Sequence, residues 1–317
     1  MPNQPLLIDF LLFDGFSNMV LASGVEPLRA ANGLSNKELY SWRLISLNGG
    51  IVTSSSGIQI TTRKLTVVAP HPYRLFVVAG FGARVHLTSN TSAALRRAAR
   101  TGAALGGIDM GAWLLAGSGL LDGQKATVHW EELDNFADMF PRVQTVNDRF
   151  VIEPNRICAG GATAALELMI ALIQSDHGPA LSFDVTNMFV YDTEADRRGG
   201  RGAVHIGVAK RSPQLIRSIN SMRAHIREPL SLDKLSNVAA CSSRTLSRLF
   251  IRELGVSPGR YYVSIRLSAA RRLAEETRMS CGEIAESTGY SSSAALARAY
   301  SLHFGTTIRD TRGQRFK

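Results

Sequence analysis

The pattern of apolar and polar positions divides the chain into two parts with different periodicities. In the first part, short apolar runs alternate with stretches of helical spacing, which is typical of a sheet whose parallel strands are joined by helices. The run at residues 6–13 is apolar except for Asp9, as expected of a strand buried on both faces. Further predicted strands lie at 42–47, 58–62, 75–79, 103–108 and near 157. Predicted helices lie at 17–32 and 89–100; a third begins near 110, and a fourth ends at 173. We therefore predict an α/β domain with a doubly wound, mostly parallel sheet.

The second part has the spacing of two short helices joined by a tight turn. Apolar residues recur at helical spacing over 232–239 and again over 246–254, on either side of a turn at 240–242. Ser242 or Ser243 is the predicted N-cap of the second helix, which leaves a polar face of Ser, Arg and Thr side chains. A helix-turn-helix presents such a face to base edges and phosphates.

This pattern occurs a second time about fifty residues later. Leu235 matches Ile284 at an offset of 49, and Leu246 matches Leu296 at an offset of 50. The helical pattern at 260–276 joins the two copies and spans roughly 26 Å, so the pair suits successive major-groove faces of one duplex. The predicted DNA-contacting residues are Ser242, Ser243, Arg244, Thr245, Ser247, Arg248, Ser291, Ser292, Ser293 and Arg298.

Charge follows the same division of the chain. The net charge is +10, but residues 1–192 carry 14 Lys and Arg against 16 Asp and Glu, a net −2. Residues 193–317 carry 22 against 10, a net +12. A basic surface without a partner is the alternative interpretation, but the coincidence of charge and motif favours binding to double-stranded DNA.

Composition and motifs exclude several other classes. The 317 residues are 45% hydrophobic and 20% charged, which predicts a globular protein of two domains. The three cysteines form no disulfide framework and have no metal-ligand spacing, so we expect a reducing cytoplasm, and no membrane span or signal peptide is apparent. The glycine turn at 159–161 lacks the spacing of a phosphate loop, so no nucleotide or other cofactor is predicted.

A composition break separates the two predicted domains. Residues 193–202 are charged, rich in glycine and poor in apolar side chains, which is typical of a linker. We predict a first domain at 1–192, a linker at 193–212 and a DNA-binding domain at 213–317.

The second domain resembles the AraC/XylS family of bacterial transcription regulators. The resemblance covers about residues 212–312 and includes both helix-turn-helix copies and the family's L-x-R-x-F signature at 246–250. The run at 305–312 departs from the family's usual G-x-S-P-x-x-Y-R-like ending, which leaves the form of the last helix open. The resemblance implies an all-α domain with two helix-turn-helix units.

The first domain resembles the PfpI-like, class I glutamine-amidotransferase-like fold, a flavodoxin-like arrangement. The runs that carry the resemblance lie at 12–17, 78–81, 111–123, 126–130 and 159–163. The resemblance implies a nucleophilic cysteine where this chain has Asp109 and a supporting acidic residue at about Val20. Both catalytic groups are therefore missing, and His129 alone supports no acyl chemistry. Cys158 is a replacement nucleophile or, among apolar and small neighbours, a packed core cysteine.

A binding pocket remains once catalysis is set aside. Aromatic faces around one carboxylate suit a cation, and quaternary ammonium groups bind through cation–π contacts. Regulators of this branch with Asp in place of Cys look like sensors of glycine betaine, carnitine and related amines. The backbone donors of a helix beginning at Met110 would suit a zwitterion's carboxylate. The predicted ligand residues are Phe13, Phe81, Asp109, Met110, Trp113, His129 and Trp130, although Trp113 and Trp130 would also suit a core.

Two functions of different classes follow from these features. The first is a ligand-responsive regulator that binds DNA as a homodimer and, with RNA polymerase, activates catabolic genes for a small amine or quaternary ammonium compound such as carnitine or glycine betaine. The alternative is an amidase- or hydratase-like enzyme fused to a DNA-binding domain. The missing cysteine and acidic partner favour the regulator, and we predict no enzymatic activity.

Overall fold

A computed structural model describes residues 4–35, 37–66, 70–189 and 211–313. The chain divides into two compact units: Met1–Gly33 with Glu38–Ile173, and Leu34–Lys37 with Gln174–Lys317. Most of the predicted linker, residues 193–210, lies outside the described residues. No helix in the described ranges is long and apolar enough to cross a membrane.

The first unit is built on a mixed sheet whose centre is parallel. The strands are β1 Leu6–Leu12, β2 Tyr40–Ser46, β3 Gly50–Thr53, β4 Gln59–Lys64, β5 Arg74–Ala79, β6 Ala104–Asp109, β7 Lys125–Ala126, β8 Gln144–Thr145, β9 Phe150–Ile152 and β10 Arg156–Ala159. Eight of these described strands pair in the order β3-β4-β2-β1-β5-β6-β10-β9, and β7 pairs with β8. The four strands β1, β5, β6 and β10 run parallel, so their carboxyl ends meet at one edge.

Helices cover this sheet and close its core. They are α1 Asn18–Ser35, α2 Ser89–Ala99, α3 Gly111–Gly117, α4 Leu133–Met139 and α5 Ala162–His177. Side chains of β1, β5 and β6, including Leu11, Val77 and Leu105, form one buried cluster with Leu115 of α3. The continuous apolar runs that predict buried parallel strands are thus explained by helices packed on the sheet.

Short edge strands were missed by the apolar pattern. Strand β3 pairs antiparallel with β4, and β9 pairs antiparallel with β10, both at the ends of the sheet. Edge strands keep one side open, and exposed residues such as Ile51 and Ile152 interrupt the buried pattern on which the prediction relied.

The second unit is helical. Its helices are α6 Pro179–Phe189, α7 Pro213–Ala224, α8 Leu232–Val238, α9 Ser243–Leu254, α10 Pro258–Glu276, α11 Cys281–Ser287, α12 Ser293–Phe304 and α13 Ile308–Gly313. Leu246 and Phe250 centre one core cluster, and Leu296 and Tyr300 centre another. The α/β fold followed by an all-α domain with two helix-turn-helix units is therefore confirmed.

Helix α6 belongs with the DNA-binding helices, although the sequence places the end of the first domain at residue 192. Phe183 of α6 is 3% exposed and packs edge-on against Tyr261 of α10, with ring centroids 6.4 Å apart. The structural division consequently falls between Ile173 and Gln174. The composition break marked the change in charge, but it could not show which core the apolar face of α6 joins.

The internal repeat extends to the helix that precedes each helix-turn-helix. Arg217 of α7 donates a 2.9 Å hydrogen bond to the carbonyl of Ala239, at the end of α8. Arg266 of α10 donates at 2.7 Å to the carbonyl of Thr288, at the end of α11. Arg266 follows Arg217 by 49 residues, and Thr288 follows Ala239 by the same 49 residues. Each repeat therefore comprises three helices. The arginine satisfies a terminal carbonyl that the short helix leaves free.

Candidate functional site

Asp109 lies at a sharp turn, the elbow, between the central strand β6 and helix α3. Its backbone has φ 58°, a left-handed conformation that is uncommon outside glycine and most tolerable for Asp and Asn. Glycine permits the helix to pack closely behind the turn: a Cβ on Gly111 would lie 2.0 Å from the carbonyl oxygen of Val77. The strand register sets Ala79 beside Asp109, so the carboxyl end of β5 flanks this turn.

The Asp109 carboxyl is buried and incompletely satisfied. The residue is 5% exposed, and within the described residues its Oδ1 has no hydrogen-bond partner. Burial raises the pKa of this carboxyl to about 7, and the neighbouring Met110 backbone N–H offsets that effect only in part. The site therefore holds a carboxyl that titrates near neutral pH and that has, among the described residues, one oxygen without a hydrogen-bond partner.

The groups that would make this turn catalytic are absent from their expected positions. Val20 lies in α1 and is 2% exposed, so no acidic side chain comes from that position. Cys158 is 1% exposed on β10, opposite Gly107 of β6. Burial raises the pKa of the Cys158 thiol to about 11, so the thiol stays protonated and packs as a core residue. No group of His, Cys, Asp and Glu in the described ranges could hold a metal ion.

Three of the predicted ligand residues form an aromatic cluster. The His129 ring lies edge-on to Phe81 at 4.8 Å and tilted against Trp130 at 5.8 Å. Phe81 is 58% exposed and Trp130 is 70% exposed. Trp130 is therefore not a core residue, which removes the alternative that the sequence left open for it.

Trp113 has a different environment. It is 3% exposed, its ring meets Phe136 and Phe140 edge-on, and the guanidinium of Arg84 lies 4.2 Å from its ring centroid. Arg84 also forms a 2.6 Å ion pair with Glu132. The core interpretation of Trp113 thus holds for most of its surface, while an intramolecular cation occupies one face of the indole.

A pocket of about 260 Å³ opens beside this Arg84–Trp113 pair. Its lining consists of Arg84, Trp113, Asn135, Asp138 and Met139. Four of these were not predicted from the sequence, because α4 carries no motif and Arg84 is an ordinary basic residue in the short 3-10 helix Ala83–His86. The indole Nε1 of Trp113 is buried and has no hydrogen-bond partner among the described residues. The position of Arg84 just after the Gly80-Phe-Gly82 strand end is the signal that could have indicated it.

Phe13 and Met110 contribute less to an open site than the sequence suggests. Phe13 is 5% exposed and packs against His86 at 5.2 Å, while Met110 is 1% exposed within the core. The Met110 backbone N–H already donates a 2.9 Å hydrogen bond to the carbonyl of Ala79. The sequence predicts that this donor binds a ligand carboxylate, but the N–H is already engaged with Ala79 and is not free to do so.

The first helix-turn-helix presents its predicted reading face to solvent. Ser242 caps α9 by accepting from the N–H of Thr245 at 3.1 Å, and Arg244 and Arg248 are exposed. Ser243, which was predicted as a cap or a DNA contact, instead donates a 2.7 Å hydrogen bond from its hydroxyl to Asp233 of α8. That bond fixes the angle of the two helices at the turn, where Ala240 has φ 54°.

The second helix-turn-helix repeats this arrangement. Ser292 caps α12 by accepting from Ala295 at 3.1 Å, and Ser280 with Glu283 forms a capping box at the start of α11. Ser291, Ser292, Ser293 and Arg298 are all exposed. The reciprocal cap satisfies two backbone donors at once, so α11 is defined despite its seven residues.

An elbow-bearing α/β domain followed by paired helix-turn-helix units defines a DNA-binding protein with an amidotransferase-like domain. Residues 8–175 match the DJ-1/PfpI family, and residues 235–314 match the helix-turn-helix domain family. The chain belongs to the DJ-1/PfpI family and, as its relatives below establish, to the HTH-type transcriptional regulators that join such a domain to an AraC-type helix-turn-helix region.

Two relatives from Pseudomonas aeruginosa cover nearly the whole chain. The HTH-type transcriptional regulator GbdR is 39% identical over 312 residues, which is 98% of this chain and 84% of that protein. The HTH-type transcriptional regulator CdhR is 36% identical over 301 residues, 94% of this chain and 89% of that protein. This chain is therefore a DNA-binding transcriptional regulator.

A solved structure supports the same assignment. The crystal structure of an AraC family transcriptional regulator from Pseudomonas putida matches with a TM-score of 0.54 and 26% identity, covering 59% of this chain and all of that one. A ThiJ/PfpI family protein from Pseudomonas syringae matches at 0.51 with 21% identity, covering 61% of this chain and 78% of that one, which supports the fold alone.

Proposed function

We propose that the first domain senses an effector, a small cationic or zwitterionic amine, and thereby alters how the helix-turn-helix pair engages DNA. The observation that carries this proposal is the buried Asp109 carboxyl, whose Oδ1 lacks a hydrogen-bond partner in the described residues. A buried polar atom without a partner costs about 1–3 kcal/mol, so a ligand that supplies the partner gains that energy on binding. A cation with an N–H group also stabilises the ionised form of the carboxyl, whereas a quaternary ammonium group, which has no N–H, acts through its charge alone.

The aromatic cluster of Phe81, His129 and Trp130 supports a cationic effector. The rings of Phe81 and Trp130 are largely exposed, and such faces attract quaternary ammonium groups. Arg84 over the Trp113 ring is an intramolecular example of the same attraction. The resemblance to the branch with Asp in place of Cys favours glycine betaine, carnitine or a related amine.

The pocket at Arg84 suits the carboxylate of a zwitterionic effector. Arg84 offers a guanidinium, and Trp113 offers a buried indole N–H that has no partner in the part of the chain that the structure describes; both are hydrogen-bond donors. The effector's carboxylate would compete with Glu132, which forms a 2.6 Å ion pair with the Arg84 guanidinium. Trp113 lies in α3, four residues after Asp109 in the sequence.

The same residues argue against an enzymatic role. An aspartate at the elbow lacks the nucleophilicity of a thiolate, and the apolar Val20 supplies no proton-handling group. Cys158 is buried with a raised pKa, so it does not replace the missing nucleophile. No observation favours the alternative of an amidase or hydratase, and we propose that the domain binds its effector without turnover.

We further propose that the regulator is a cytoplasmic homodimer that activates catabolic genes for this effector together with RNA polymerase. The paired helix-turn-helix units of one chain suit one half-site, so a second chain is needed for a complete operator. The three free cysteines agree with a reducing compartment.

Calorimetry on the full-length protein tests the effector proposal. The probes are glycine betaine, carnitine, arginine and putrescine, titrated into the parent and into Asp109→Asn. Asn tolerates the left-handed backbone and keeps the side chain's shape, but it removes the charge. We expect at least one probe to bind the parent and the variant to bind it about 10- to 100-fold more weakly, as for a charge-assisted contact.

Asp122→Asn is the matched control. Asp122 forms a 2.9 Å ion pair with Arg142 on an exposed loop of the same domain, so the control removes a carboxylate outside the site. Its effector affinity should equal that of the parent. If Asp109→Asn binds the probe as tightly as the parent and only unfolds at a lower temperature, Asp109 is a structural turn residue and the proposal fails.

A further inference from the structure

The two recognition helices α9 and α12 have the same frame. Each has twelve residues, a serine N-cap and a left-handed glycine at its end, with φ 71° at Gly255 and 69° at Gly305. Their buried positions also correspond at an offset of 50: Leu246 with Leu296, Phe250 with Tyr300 and Leu254 with Phe304. Corresponding surface positions therefore lie on equivalent faces of the two helices.

The exposed faces of these helices differ in chemistry. Where α9 has Arg244, α12 has Ala294, and both are exposed. Where α9 has Ser247, α12 has the exposed Ala297. Arg248 of α9 corresponds to Arg298 of α12, so both helices have arginine at this position. Arg252 of α9 corresponds to Leu302 of α12, which is 90% exposed.

The two alanines share one face at the start of α12. Ala297 is three residues and Arg298 four residues after Ala294, so both lie next to Ala294 on the exposed face, one on either side of it. Alanine has no hydrogen-bonding group and its methyl is short, which lets the helix approach the base edges closely. An apolar methyl at this place suits the 5-methyl group of thymine, whereas arginine in α9 suits the two acceptors of guanine.

We propose that the two units read chemically different DNA: α9 recognises a guanine-containing segment through Arg244, and α12 recognises thymine methyl groups through Ala294 and Ala297. Each half-site then contains a G·C segment and an A·T segment about one helical turn, or roughly 10 base pairs, apart. Arg248 and Arg298 occupy equivalent positions and supply a contact that both segments share.

Site selection with the full-length protein followed by base-analogue substitution tests this inference. In the selected half-site, each thymine is replaced in turn by deoxyuridine, which removes only the methyl group. We expect affinity to fall about threefold to fivefold at one or more thymines of the α12 segment, the loss of one buried methyl contact. Replacement in the α9 segment should change affinity less than twofold.

A double-mutant comparison assigns the effect to the alanines. Ala294 and Ala297 are both exposed, so replacing both by serine, which adds one hydroxyl to each, should leave the fold intact. The polar hydroxyls replace the apolar methyl surface, so binding should become insensitive to deoxyuridine in the α12 segment. Arg244→Ala should relax the guanine preference in the other segment while leaving the deoxyuridine effect intact. Guanine selected in both segments, or uniform indifference of the unmodified protein to the thymine methyl, overturns the inference.

Ala294→Arg provides an independent gain of specificity. It gives α12 the arginine of α9 at the equivalent position, so selection should shift toward guanine in the α12 segment and remain unchanged in the other. An unchanged preference in the α12 segment, with folding verified by circular dichroism, means that this face does not meet the bases and counts against the proposal. Failure to select any site would instead question DNA binding itself.

Discussion

The hydroxyl of Tyr261 donates a 2.5 Å hydrogen bond to Oδ1 of Asp184. Asp184 lies in α6 and Tyr261 in α10, so the bond joins the helix that follows α5 to the helix that links the two DNA-binding units. Burial raises the pKa of Asp184 to about 6, while Tyr261 and the guanidinium of Arg223 at 3.7 Å oppose that rise. The pair thus fixes α6 to the linking helix α10 with a polar contact amid apolar packing.

Tyr261→Phe should loosen this attachment. The ring contacts with Phe183 and Phe250 remain, but the partly buried Asp184 carboxylate loses a donor, which costs about 0.5–1.5 kcal/mol. Hydrogen exchange followed by mass spectrometry should show faster exchange in α6. Tyr290→Phe is the control, because the buried Tyr290 hydroxyl has no partner among the described residues and its removal should change stability little. Equal effects of the two variants would refute the role of the bond.

The raised pKa of Asp109 predicts a pH-dependent stability. The carboxyl has a folded pKa of about 7 against an ordinary value of 3.8, so protonation favours the folded state. Its stabilising contribution is complete below pH 4 and is lost as pH rises through 7, a total of up to about 4 kcal/mol. Asp109→Asn does not titrate, so its stability relative to the parent should increase from pH 5 to pH 8. Unfolding with urea at both pH values measures this, and a pH-independent difference would contradict it.

The same carboxyl predicts proton release when a cationic effector binds. A cation favours the ionised form, so affinity should fall about tenfold per pH unit as pH drops below 7. Calorimetry at pH 6 in two buffers of different ionisation enthalpy reports the released proton directly. Identical heats in both buffers, with affinity constant between pH 6 and 8, would mean that Asp109 does not titrate on binding.

The elbow glycine should tolerate no side chain. Gly111→Ala brings a Cβ to 2.0 Å from the Val77 carbonyl oxygen, which forces α3 away from the sheet and should cost more than about 3 kcal/mol. Gly33→Ala is the control within α1, where no atom lies within 4 Å of the added Cβ, and it should be neutral or stabilising by up to about 1 kcal/mol. Thermal unfolding of both variants compares them, and a Gly111→Ala protein as stable as the parent would show that α3 can shift freely.

The sequence predicted those features whose signal lies within a continuous stretch. The apolar run of β1 and the paired turns of the helix-turn-helix units each carry their own pattern, and both are found in the structure. The Asp184–Tyr261 bond joins residues 77 positions apart, so no local pattern could indicate it. Trp113 and Trp130 illustrate the same limit, because one tryptophan is 3% exposed and the other 70% exposed. Packing partners, rather than the residues' own periodicity, decide such cases.

The arginines that close the first helix of each helix-turn-helix should contribute unequally to stability. Arg217 donates to one carbonyl, that of Ala239, whereas Arg266 donates to those of Thr288 and Gly289 at 2.7 and 2.6 Å. Its guanidinium also lies 4.2 Å from the Tyr290 ring centroid. Substitution by methionine keeps the apolar stem and removes every donor, so the loss reflects the hydrogen bonds and the cation–π contact.

We therefore expect Arg266→Met to cost about 2–3 kcal/mol and Arg217→Met about 1 kcal/mol, at a contribution of about 1 kcal/mol for each hydrogen bond. Arg272→Met, at an exposed position of the same α10, controls for loss of charge on that helix. The full-length variants are compared by thermal unfolding, with hydrogen exchange in α8 and α11 to locate the effect. Because the two bonds at Arg266 fix the turn before α12, its variant should also weaken DNA binding more than Arg217→Met does. Equal losses for Arg217→Met and Arg266→Met would show that the second carbonyl and the Tyr290 ring add nothing.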